Sequence, residues 1–414
     1  MAELMAPAGD LQKLEYAVKY GADSVYLGGK DFGMRARAGN FSDEDIKQGL
    51  KIAHDSGVKV YVTLNIAARN ADIDPMLKYA EQLSGYGIDG FIAADPGFIL
   101  KLKESLPDTF VILSTQANTT NGVSLDFWKK NGVDRVVLAR ELAFEEIREI
   151  AKNRPEGMQL EVFVHGSMCI SYSGRCLLSN YLAGRDSNRG DCAQPCRWEY
   201  VLSEKSRPGE FFGIEEDSRG SFIFNSRDLC LIDHIPELTA AGIDSFKIEG
   251  RMKSIFYAAT VTNAYKTAML RAEHDPVYSC SDLYEELCKV SHRQYTKAFY
   301  FGNAGPDSQN YGSSSYIRSY DFIAEVTSDT DDGMLTEVTQ KNKFRRGDVC
   351  ELLSPGKPYE EFRAEEIYDE NMQPAEEAPH PNQKLFIKTG IRMSKYSLIR
   401  RKASENPSSG SETL

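Results

Sequence analysis

The sequence predicts an α/β protein whose larger part is a closed, TIM-like (β/α)8 barrel, followed by a small antiparallel β-barrel domain. Two observations favour this fold class. Over the first 250 residues, short apolar or β-branched runs alternate with longer amphipathic stretches; such alternation implies parallel strands, because parallel neighbours need a crossover connection. From about Asp321 the helical periodicity gives way to short alternating runs separated by turn residues, which is typical of an antiparallel β module.

The barrel strands are expected where a short apolar run ends near Gly, Asn, Asp or Gln. Eight such runs occur before residue 250, and this number favours a closed barrel over an open doubly wound sheet. They are Glu3–Ala6, Ser24–Leu27, Val58–Leu64, Gly90–Ala94, Val111–Ser114, Arg135–Ala139, Leu160–Val164 and Ser245–Glu249. Between them lie stretches such as LQKLEYAVKYGA, whose apolar residues recur near i, i+3, i+4 and i+7 and predict helices.

The predicted domain boundaries lie where the hydrophobic pattern and the composition of the chain change. Residues 1–300 form the barrel, 301–320 a linker, 321–402 the small β-barrel and 403–414 a disordered, low-complexity tail. A cysteine-rich insertion at about 165–240 separates the seventh strand from the eighth. Within it, the charged and Gly-rich stretch RPGEFFGIEEDSRGS predicts a long hairpin or flexible loop.

Composition narrows the classes of function. The 414 residues are 41% hydrophobic and 27% charged, which permits a sizeable core. No run approaches the roughly 18 apolar residues of a membrane span, and the start MAELMAPAGD lacks the pattern of a secretory signal. We therefore expect a cytoplasmic protein without membrane association. The net charge of −12 disfavours nonspecific wrapping of nucleic acid, so any RNA contact must be local.

The cysteines are the densest chemical feature. Five of the eight lie in the insertion, namely Cys169, Cys176, Cys192, Cys196 and Cys230. In a reducing compartment such a cluster indicates metal or redox chemistry rather than disulfides. Only Cys192 and Cys196 have the close spacing of a zinc ribbon, whereas loose spacing from several loops is compatible with an iron–sulfur cluster. A catalytic cysteine and buried free thiols are the alternatives. Cys280, Cys288 and Cys350 are expected to pack in the core.

Several long motifs resemble peptidase family U32, historically called collagenase-like peptidases. They are MAPAGDLQKLEYAVKYGADSVYLGG at the start, STQAN at 114–118, EVFVHGSMCISYSGRCLLS at 161–179, CAQPCRWEY, NSRDLCLIDHIPEL, DSFKIEGRMKS and SHRQYTKAFYFG at 291–302. The resemblance covers most of the chain. It implies an oxygen-independent hydroxylation factor acting on tRNA wobble uridine with prephenate as hydroxyl donor, on a ribosomal RNA cytidine, or on the ubiquinone ring. The length of about 400 residues with one β module is most similar to the tRNA-acting members, which form 5-hydroxyuridine.

The resemblance also implies a [4Fe–4S] cluster on four cysteines. Cys169 and Cys176 occupy the two motif positions, and Cys192 and Cys230 match the spacing of the other two ligands. Cys196 is a rival for one of these places. A second U32-family protein is a candidate partner, besides tRNA and prephenate.

The C-terminal ends of barrel strands carry active sites, so polar residues at those positions are candidates. They are Asn65, Asp95, Gln116, Arg140, Glu141, His165, Lys247, Glu249 and Arg251. Prephenate is a dicarboxylate, and Arg pairs with carboxylates through two parallel hydrogen bonds. Arg140 and Arg251 are therefore the expected anion clamps. We assign substrate binding to Arg140, Asn65 and Gln116, and catalysis to His165, Glu249 and Arg251. Lys247 has the alternative of pairing with Glu249.

Proteolysis has little support, although a U32 peptidase of collagen-like substrates is an alternative. The sequence has no H-E-x-x-H pair and no G-x-S-x-G elbow. His165 and Ser167 could form a Ser/His pair, but no acid partner is evident.

RNA binding is predicted for the small β module. The stretch 384–402, KLFIKTGIRMSKYSLIRRK, has seven cations, no acid and two interleaved aromatic residues. Lys341, Lys343, Arg345 and Arg346 add a second basic stretch. Cations with aromatic residues suit backbone contact and base stacking, and this argues against a quinone substrate. A solvated basic face is the alternative.

Overall fold

A computed structural model describes residues 1–34, 40–198, 226–275, 277–302 and 316–403. The predicted loop RPGEFFGIEEDSRGS lies outside the described residues, as do most of the predicted linker 301–320 and all but the first residue of the predicted tail 403–414. The chain divides into two compact units. The first comprises Met1–Tyr284 and His292–Tyr316, and the second comprises Glu285–Ser291 and the chain from Ile317 onward.

The first unit is a closed parallel barrel, as predicted. Its strands are β1 Glu3–Pro7, β2 Ser24–Leu27, β3 Lys59–Leu64, β4 Gly90–Ala93, β5 Val111–Leu113, β6 Arg135–Val137, β7 Gln159–Ser167 and, after a short β8 at Asp228–Cys230, β9 Ser245–Ile248. From β1 to β7 each strand pairs in parallel with the next, β7 also pairs in parallel with β9, and β9 closes the ring on β1. The eight predicted runs are these eight strands, with ends that differ by at most three residues.

Helices alternate with the strands along the chain. They are α1 Leu11–Lys19, α2 Asp43–His54, α3 Asn70–Gly85, α4 Pro96–Ser105, α5 Gly122–Lys130, α6 Phe144–Lys152, α7 Leu178–Ala183, α8 Ile235–Ala240, α9 Ile255–His274 and α10 Ser281–Leu287. Side-chain caps fix several of the helix starts. Ser42 and Asp45 form a capping box on α2. Asp95, a candidate site residue, accepts the amide of Phe98 at 2.8 Å, so its carboxylate begins α4.

The insertion begins as a continuation of β7. Beyond the barrel proper, β7 runs to Ser167 and pairs antiparallel with β8, with His165 opposite Cys230. A two-residue strand, β10 at Tyr295–Thr296, adds to β8 in parallel. This extension leads the chain from the C-terminal end of β7 directly into the segment that contains Cys169.

Charged groups fill part of the barrel interior. Glu161 is fully buried and accepts hydrogen bonds from Arg135 at 3.2 Å and from Lys247 at 2.8 Å. Arg135 also pairs with Glu3 at 2.7 Å. Buried charges persist when they are paired and hydrogen-bonded, so this network links β1, β6, β7 and β9. Lys247 therefore pairs with Glu161, not with Glu249 as one sequence interpretation had it.

The second unit contains a curled antiparallel sheet, as the alternating pattern predicts. Its strands are β11 Tyr320–Val326, β12 Leu335–Gln340, β13 Phe344–Arg345, β14 Val349–Leu353, β15 Glu360–Arg363, β16 Glu366–Tyr368, β17 Pro374–Ala375, β18 Glu377–Ala378, β19 Lys384–Lys388 and β20 Leu398–Lys402. Eight of them form one sheet in the order β15-β14-β20-β11-β12-β19-β16-β17. Its core includes Ile323, Val338 and Ile387 together with Cys350, which confirms the packing role predicted for that cysteine.

Within the described ranges, no helix combines the length and apolar character needed to cross a bilayer.

Candidate active site at the barrel mouth

A cavity of about 120 Å³ opens at the C-terminal ends of the barrel strands. The structure brings seven of the predicted candidates together in its lining, which are Asn65, Gln116, Arg140, Cys169, Lys247, Glu249 and Arg251. Lys247 lies within β9, and the others follow the ends of five strands, β3, β5, β6, β7 and β9, with Glu249 and Arg251 both after β9. Active sites of (β/α)8 barrels lie at this face. Tyr26, Thr63 and Phe163 are among the other lining residues.

Arg140 is held by the start of the cysteine segment. It donates from Nη1 to the carbonyl oxygen of Ser167 at 2.9 Å and from Nη2 to Ser173 Oγ at 2.7 Å. Its guanidinium carbon lies 5.4 Å from the ring centroid of Phe163. Among the described residues, the buried Nε atom of Arg140 has no hydrogen-bond partner. A guanidinium has five N–H donors, so Arg140 has donor capacity left for a ligand in the cavity.

The pKa of Arg140 is raised above its ordinary value. Burial acts to lower it, but the neighbouring Cys169 thiol and the Glu141 and Glu249 carboxyls outweigh burial. Arg140 therefore stays a cation at any physiological pH.

Arg251 is a second, almost fully buried guanidinium. Its exposed fraction is 4%, and Nη1 donates to Thr63 Oγ1 at 3.2 Å. A Cβ atom at position 28 would lie 2.2 Å from this Nη1, so only glycine leaves room for the guanidinium there. At position 9 a Cβ would lie 2.0 Å from the Arg251 carbonyl oxygen. Gly9 and Gly28 are therefore part of the site, although the sequence motifs containing them gave no sign of this role.

The charge of the cavity lining favours an anion. Arg140, Lys247 and Arg251 are basic, and Glu249 is the one acid among the lining residues that the structure describes. Burial lowers the pKa of Lys247, and Glu161 partly offsets this by pairing with it. The Glu249 carboxylate accepts a hydrogen bond from the Tyr26 hydroxyl at 3.3 Å. The positive charge of the two guanidinium groups therefore exceeds the negative charge of Glu249 in the lining.

Asn65 and Gln116 meet at a shared serine. Asn65 Nδ2 lies 3.4 Å from Ser114 Oγ, which in turn donates to Gln116 Oε1 at 3.1 Å. Asn65 Oδ1 also accepts the amide of Met34 at 3.3 Å. These contacts fix two uncharged polar groups beside the guanidiniums, in the position expected of residues that orient a bound substrate.

The thiols are grouped differently from the expected ligand set. The pKa of Cys196 is raised to about 11, mainly by burial and in smaller part by the charges of Cys169, Cys192 and Cys176. Cys196 is therefore near enough to the three expected ligands for their charges to affect it. Cys230 instead is buried on β8, where the Tyr265 hydroxyl is 3.8 Å from its sulfur. Burial likewise raises the pKa of Cys230 to about 11.

The thiols fit an iron–sulfur cluster in kind and number. Such clusters take four soft thiolate ligands. Two sets of four cysteines are possible here, and Cys169, Cys176 and Cys192 belong to both. The resemblance gives Cys230 as the fourth ligand, and proximity gives Cys196. Over the described residues, no three His, Cys, Asp or Glu side chains are close enough to hold a metal ion.

His165 does not lie in the cavity, contrary to the predicted catalytic role. A bulge on β7 pairs Phe163 with Lys247 but His165 with Ile248, so one strand advances two residues while the other advances one. Such a slip turns the following side chain to the other face. The imidazole therefore packs outside the ring, 5.4 Å from the Tyr265 ring and 5.9 Å from the Tyr257 ring. Burial lowers the pKa of His165 to about 3, so the ring is neutral.

The same geometry argues against a serine peptidase. Ser167 Oγ accepts a hydrogen bond from Arg293 Nη2 at 3.2 Å, and Arg293 also pairs with Asp228 at 2.6 Å. The nearby acid thus pairs with a guanidinium instead of orienting His165. A histidine with so low a pKa is a poor general base.

The basic stretches of the small module are largely paired with acids. Lys384 lies 2.6 Å from Glu337 and Arg400 lies 2.7 Å from Glu351. In the second stretch, Lys341 lies 2.7 Å from Glu325. Between positions 317 and 403 the sequence has 14 basic and 16 acidic residues. Acidic side chains therefore neutralise much of the positive charge of the two basic stretches. RNA binding by this module stays a prediction.

The fold and its mouth define a (β/α)8-barrel protein with a cationic cavity beside a group of thiols. The chain belongs to peptidase family U32: the family model of that description matches residues 9–310, and the model for the family's C-terminal domain matches residues 318–400.

Relatives within this family have different names. The chain is 40% identical over 403 residues to the tRNA hydroxylation protein P1 of Bacillus subtilis, which covers 96% of this chain and 94% of that protein. It is 38% identical over 394 residues to the tRNA hydroxylation protein P of Escherichia coli, covering 85% and 86% of the two chains. A collagenase of Porphyromonas gingivalis is 35% identical over 325 residues, covering 75% and 76%.

Proposed function

We propose that this protein hydroxylates tRNA without oxygen, forming 5-hydroxyuridine at the wobble position with prephenate as the hydroxyl donor. The observation that carries the proposal is the pair of guanidinium groups, Arg140 and Arg251, in one cavity beside Cys169. The names of the two tRNA hydroxylation relatives support the RNA substrate. We also propose a cytoplasmic location, because tRNA is modified there.

In this proposal the cavity binds the donor. A dicarboxylate entering it meets two fixed guanidiniums, and Arg140 Nε supplies a donor that no described residue uses. Charge-assisted pairs are about twice as strong as neutral hydrogen bonds. Asn65 and Gln116 orient the uncharged part of the ligand, and Glu249 is the acid–base group nearest to it. Arg251 stabilises the negative charge of the donor both when the donor binds and while it reacts.

A [4Fe–4S] cluster, when bound, would supply one-electron redox chemistry next to this cavity. Cys169, Cys176 and Cys192 would hold it, with Cys230 or Cys196 as the fourth ligand. Arg140 holds the loop carrying Cys169 through Ser167 and Ser173, so it positions the thiol whether or not it also contacts the donor.

Donor binding is testable with purified protein. Calorimetric titration should give tighter binding of prephenate than of phenylpyruvate, because phenylpyruvate has one carboxylate and leaves one guanidinium without a partner. We expect at least a tenfold difference, since an unpaired buried charge costs about 2–5 kcal/mol. Equal affinity for the two compounds would contradict a dicarboxylate site.

Hydroxylation of a quinone ring is the second candidate. The pairing of cations such as Lys384 with Glu337 weakens the charge argument for RNA, which was the reason given against a quinone substrate. Nucleoside analysis and quinone analysis of the same deletion strain distinguish these two functions.

A further inference from the structure

A second cavity lies on the other side of Cys169. It has a volume of about 190 Å³, and its lining includes Glu141, Met168, Tyr172, Thr296 and Phe299 as well as Cys169 itself. Arg140 and Glu141 are consecutive residues after β6, yet the first lines the donor cavity and the second lines this one. The two cavities are therefore neighbours that share one thiol.

The second cavity has the size and the walls of a site for a flat ring. An apolar protein cavity of about 150 Å³ is sufficient to bind benzene. Here Met168, Tyr172 and Phe299 supply apolar surface, while Glu141 and Thr296 supply polar groups at the edge. A nucleobase presents the matching combination, because its faces stack on aromatic rings and its edge forms hydrogen bonds.

Glu141 has an unused hydrogen-bonding atom at this site. Its Oε2 is buried, and no described residue donates to it. Buried polar atoms without partners are rare in folded proteins and point to a ligand or a functional role. A carboxyl oxygen at this place can accept the N3–H group of a uracil.

The lining of the second cavity also contains a strained residue that is held in place. Ala298 has a φ of 47°, in the left-handed region that residues other than glycine seldom adopt. Its amide donates to Thr296 Oγ1 at 3.0 Å, and the adjacent Lys297 donates to the carbonyl oxygen of Cys230 at 3.0 Å. Strain that the surroundings maintain in this way is concentrated at functional sites.

We infer that this second cavity receives the pyrimidine base of the target nucleotide, with Glu141 on its hydrogen-bonding edge and Cys169 between the base and the donor cavity. The inference rests on the proposed function, since it names the site at which the RNA substrate enters. The base must leave its stack to enter such a cavity, as it does in other enzymes that modify bases.

The test uses the full-length protein and two hairpin RNAs with the sequence of a tRNA anticodon arm. One contains uridine at the wobble position, and the other contains an abasic site there. Wild-type protein should bind the uridine RNA about 10-fold to 100-fold more tightly, because stacking and edge contacts are lost without the base. Glu141→Ala should reduce binding of the uridine RNA toward the abasic level and leave abasic binding unchanged.

Two further variants make this result specific. Glu141→Gln should retain discrimination, because its amide oxygen still accepts N3–H and its amide nitrogen can donate to O4. Glu145→Ala is the matched control, because Glu145 lies four residues away on α6 and is 68% exposed; it should behave as wild type. Equal binding of the two RNAs by wild-type protein, or an equal loss of both RNAs in Glu141→Ala, would overturn the base site.

Failure of this inference is separable from failure of the proposed function. Normal tRNA hydroxylation by Glu141→Ala in cells would refute the base site and leave the function standing. If a deletion strain keeps its 5-hydroxyuridine while wild-type protein still distinguishes uridine from an abasic site, the function fails and the base site stands.

Discussion

Arg140 donates from Nη2 to the hydroxyl of Ser173 at 2.7 Å, so a residue at the end of a barrel strand holds the loop between two cysteines of the insertion. Ser173 lies between Cys169 and Cys176 in the sequence. The donor cavity and the thiols are therefore coupled through one side chain. Several expected outcomes follow from this coupling and from the contacts around it.

Replacing Arg140 or Arg251 should remove donor binding while the fold persists. Arg140→Ala and Arg251→Ala leave the carboxylates of the donor without a partner, which costs about 2–5 kcal/mol of affinity. We expect both variants to lose 5-hydroxyuridine and to retain tRNA binding, as measured by nucleoside mass spectrometry and binding assays. Iron content should be retained in Arg251→Ala but lowered in Arg140→Ala, because Arg140 also holds the loop that carries Cys169. Arg140→Lys and Arg251→Lys should restore little modification activity, because an ammonium group cannot form the two parallel hydrogen bonds that a planar guanidinium forms with a carboxylate.

A matched control for these variants is Arg148→Ala. Arg148 is on α6, is 62% exposed and pairs only with the nearby Glu145 among the contacts described. Its loss should leave modification unchanged. Normal modification in both Arg140→Ala and Arg251→Ala would mean that the anion binds elsewhere.

Gly28→Ala should act like a partial loss of Arg251. The added Cβ would lie 2.2 Å from Arg251 Nη1 and would displace the guanidinium from Thr63. We expect at least a tenfold weaker affinity for prephenate by calorimetry, with the unfolding midpoint in urea measured in parallel. Gly85→Ala is the control, because nothing lies within 4 Å of a Cβ at that position in α3. Unaltered donor affinity in Gly28→Ala would show that Arg251 does not contact the donor.

The cysteine variants decide the ligand set. Anaerobically purified wild-type protein should contain about four iron and four sulfide per chain. Cys169→Ala, Cys176→Ala and Cys192→Ala should lose the iron, and of Cys196→Ala and Cys230→Ala only one should lose it. Cys350→Ala is the control, because Cys350 is buried in the core of the small module. A colourless wild-type protein with stoichiometric zinc would contradict the cluster.

His165 should affect acid stability instead of catalysis. Its pKa is about 3 in the folded protein because it is buried, against an ordinary value of 6.5. The unfolded chain therefore binds a proton that the folded chain does not, and stability falls as the pH drops from 6.5 toward 3. The loss from this residue is about 1.4 kcal/mol per pH unit.

His165→Phe should remove that contribution while keeping an aromatic ring among Tyr257 and Tyr265. Urea unfolding at several pH values below 6.5 should give a shallower decline for the variant than for the wild type. Modification activity at neutral pH should persist. Complete loss of activity in a folded, iron-containing His165→Phe protein would restore the catalytic role predicted from the sequence.

The strands and the mouth of the barrel could be predicted from the sequence because both depend on local signals. The predicted run Ser24–Leu27 has the same bounds as strand β2. Arg140 and Arg251 follow the ends of barrel strands, as active-site residues of this fold do. The position of His165 could not be predicted in this way, because a one-residue bulge on β7 reverses the face of the strand. Alternation alone does not show where a bulge falls.

Long-range pairing is the other feature that the sequence leaves open. Glu161 and Lys247 are 86 positions apart but lie 2.8 Å apart in the barrel. Lys384 similarly finds its acid, Glu337, on the neighbouring strand β12. A run of cations in a sequence therefore does not by itself predict a positive surface.

The most direct test of the central proposal is the 5-hydroxyuridine content of tRNA from a strain that lacks this gene, grown without oxygen so that oxygen-dependent hydroxylation does not contribute. We expect the modified nucleoside to disappear in the deletion strain and to return with the wild-type gene but not with Arg140→Ala. An unchanged 5-hydroxyuridine level in the deletion strain would contradict the proposed function.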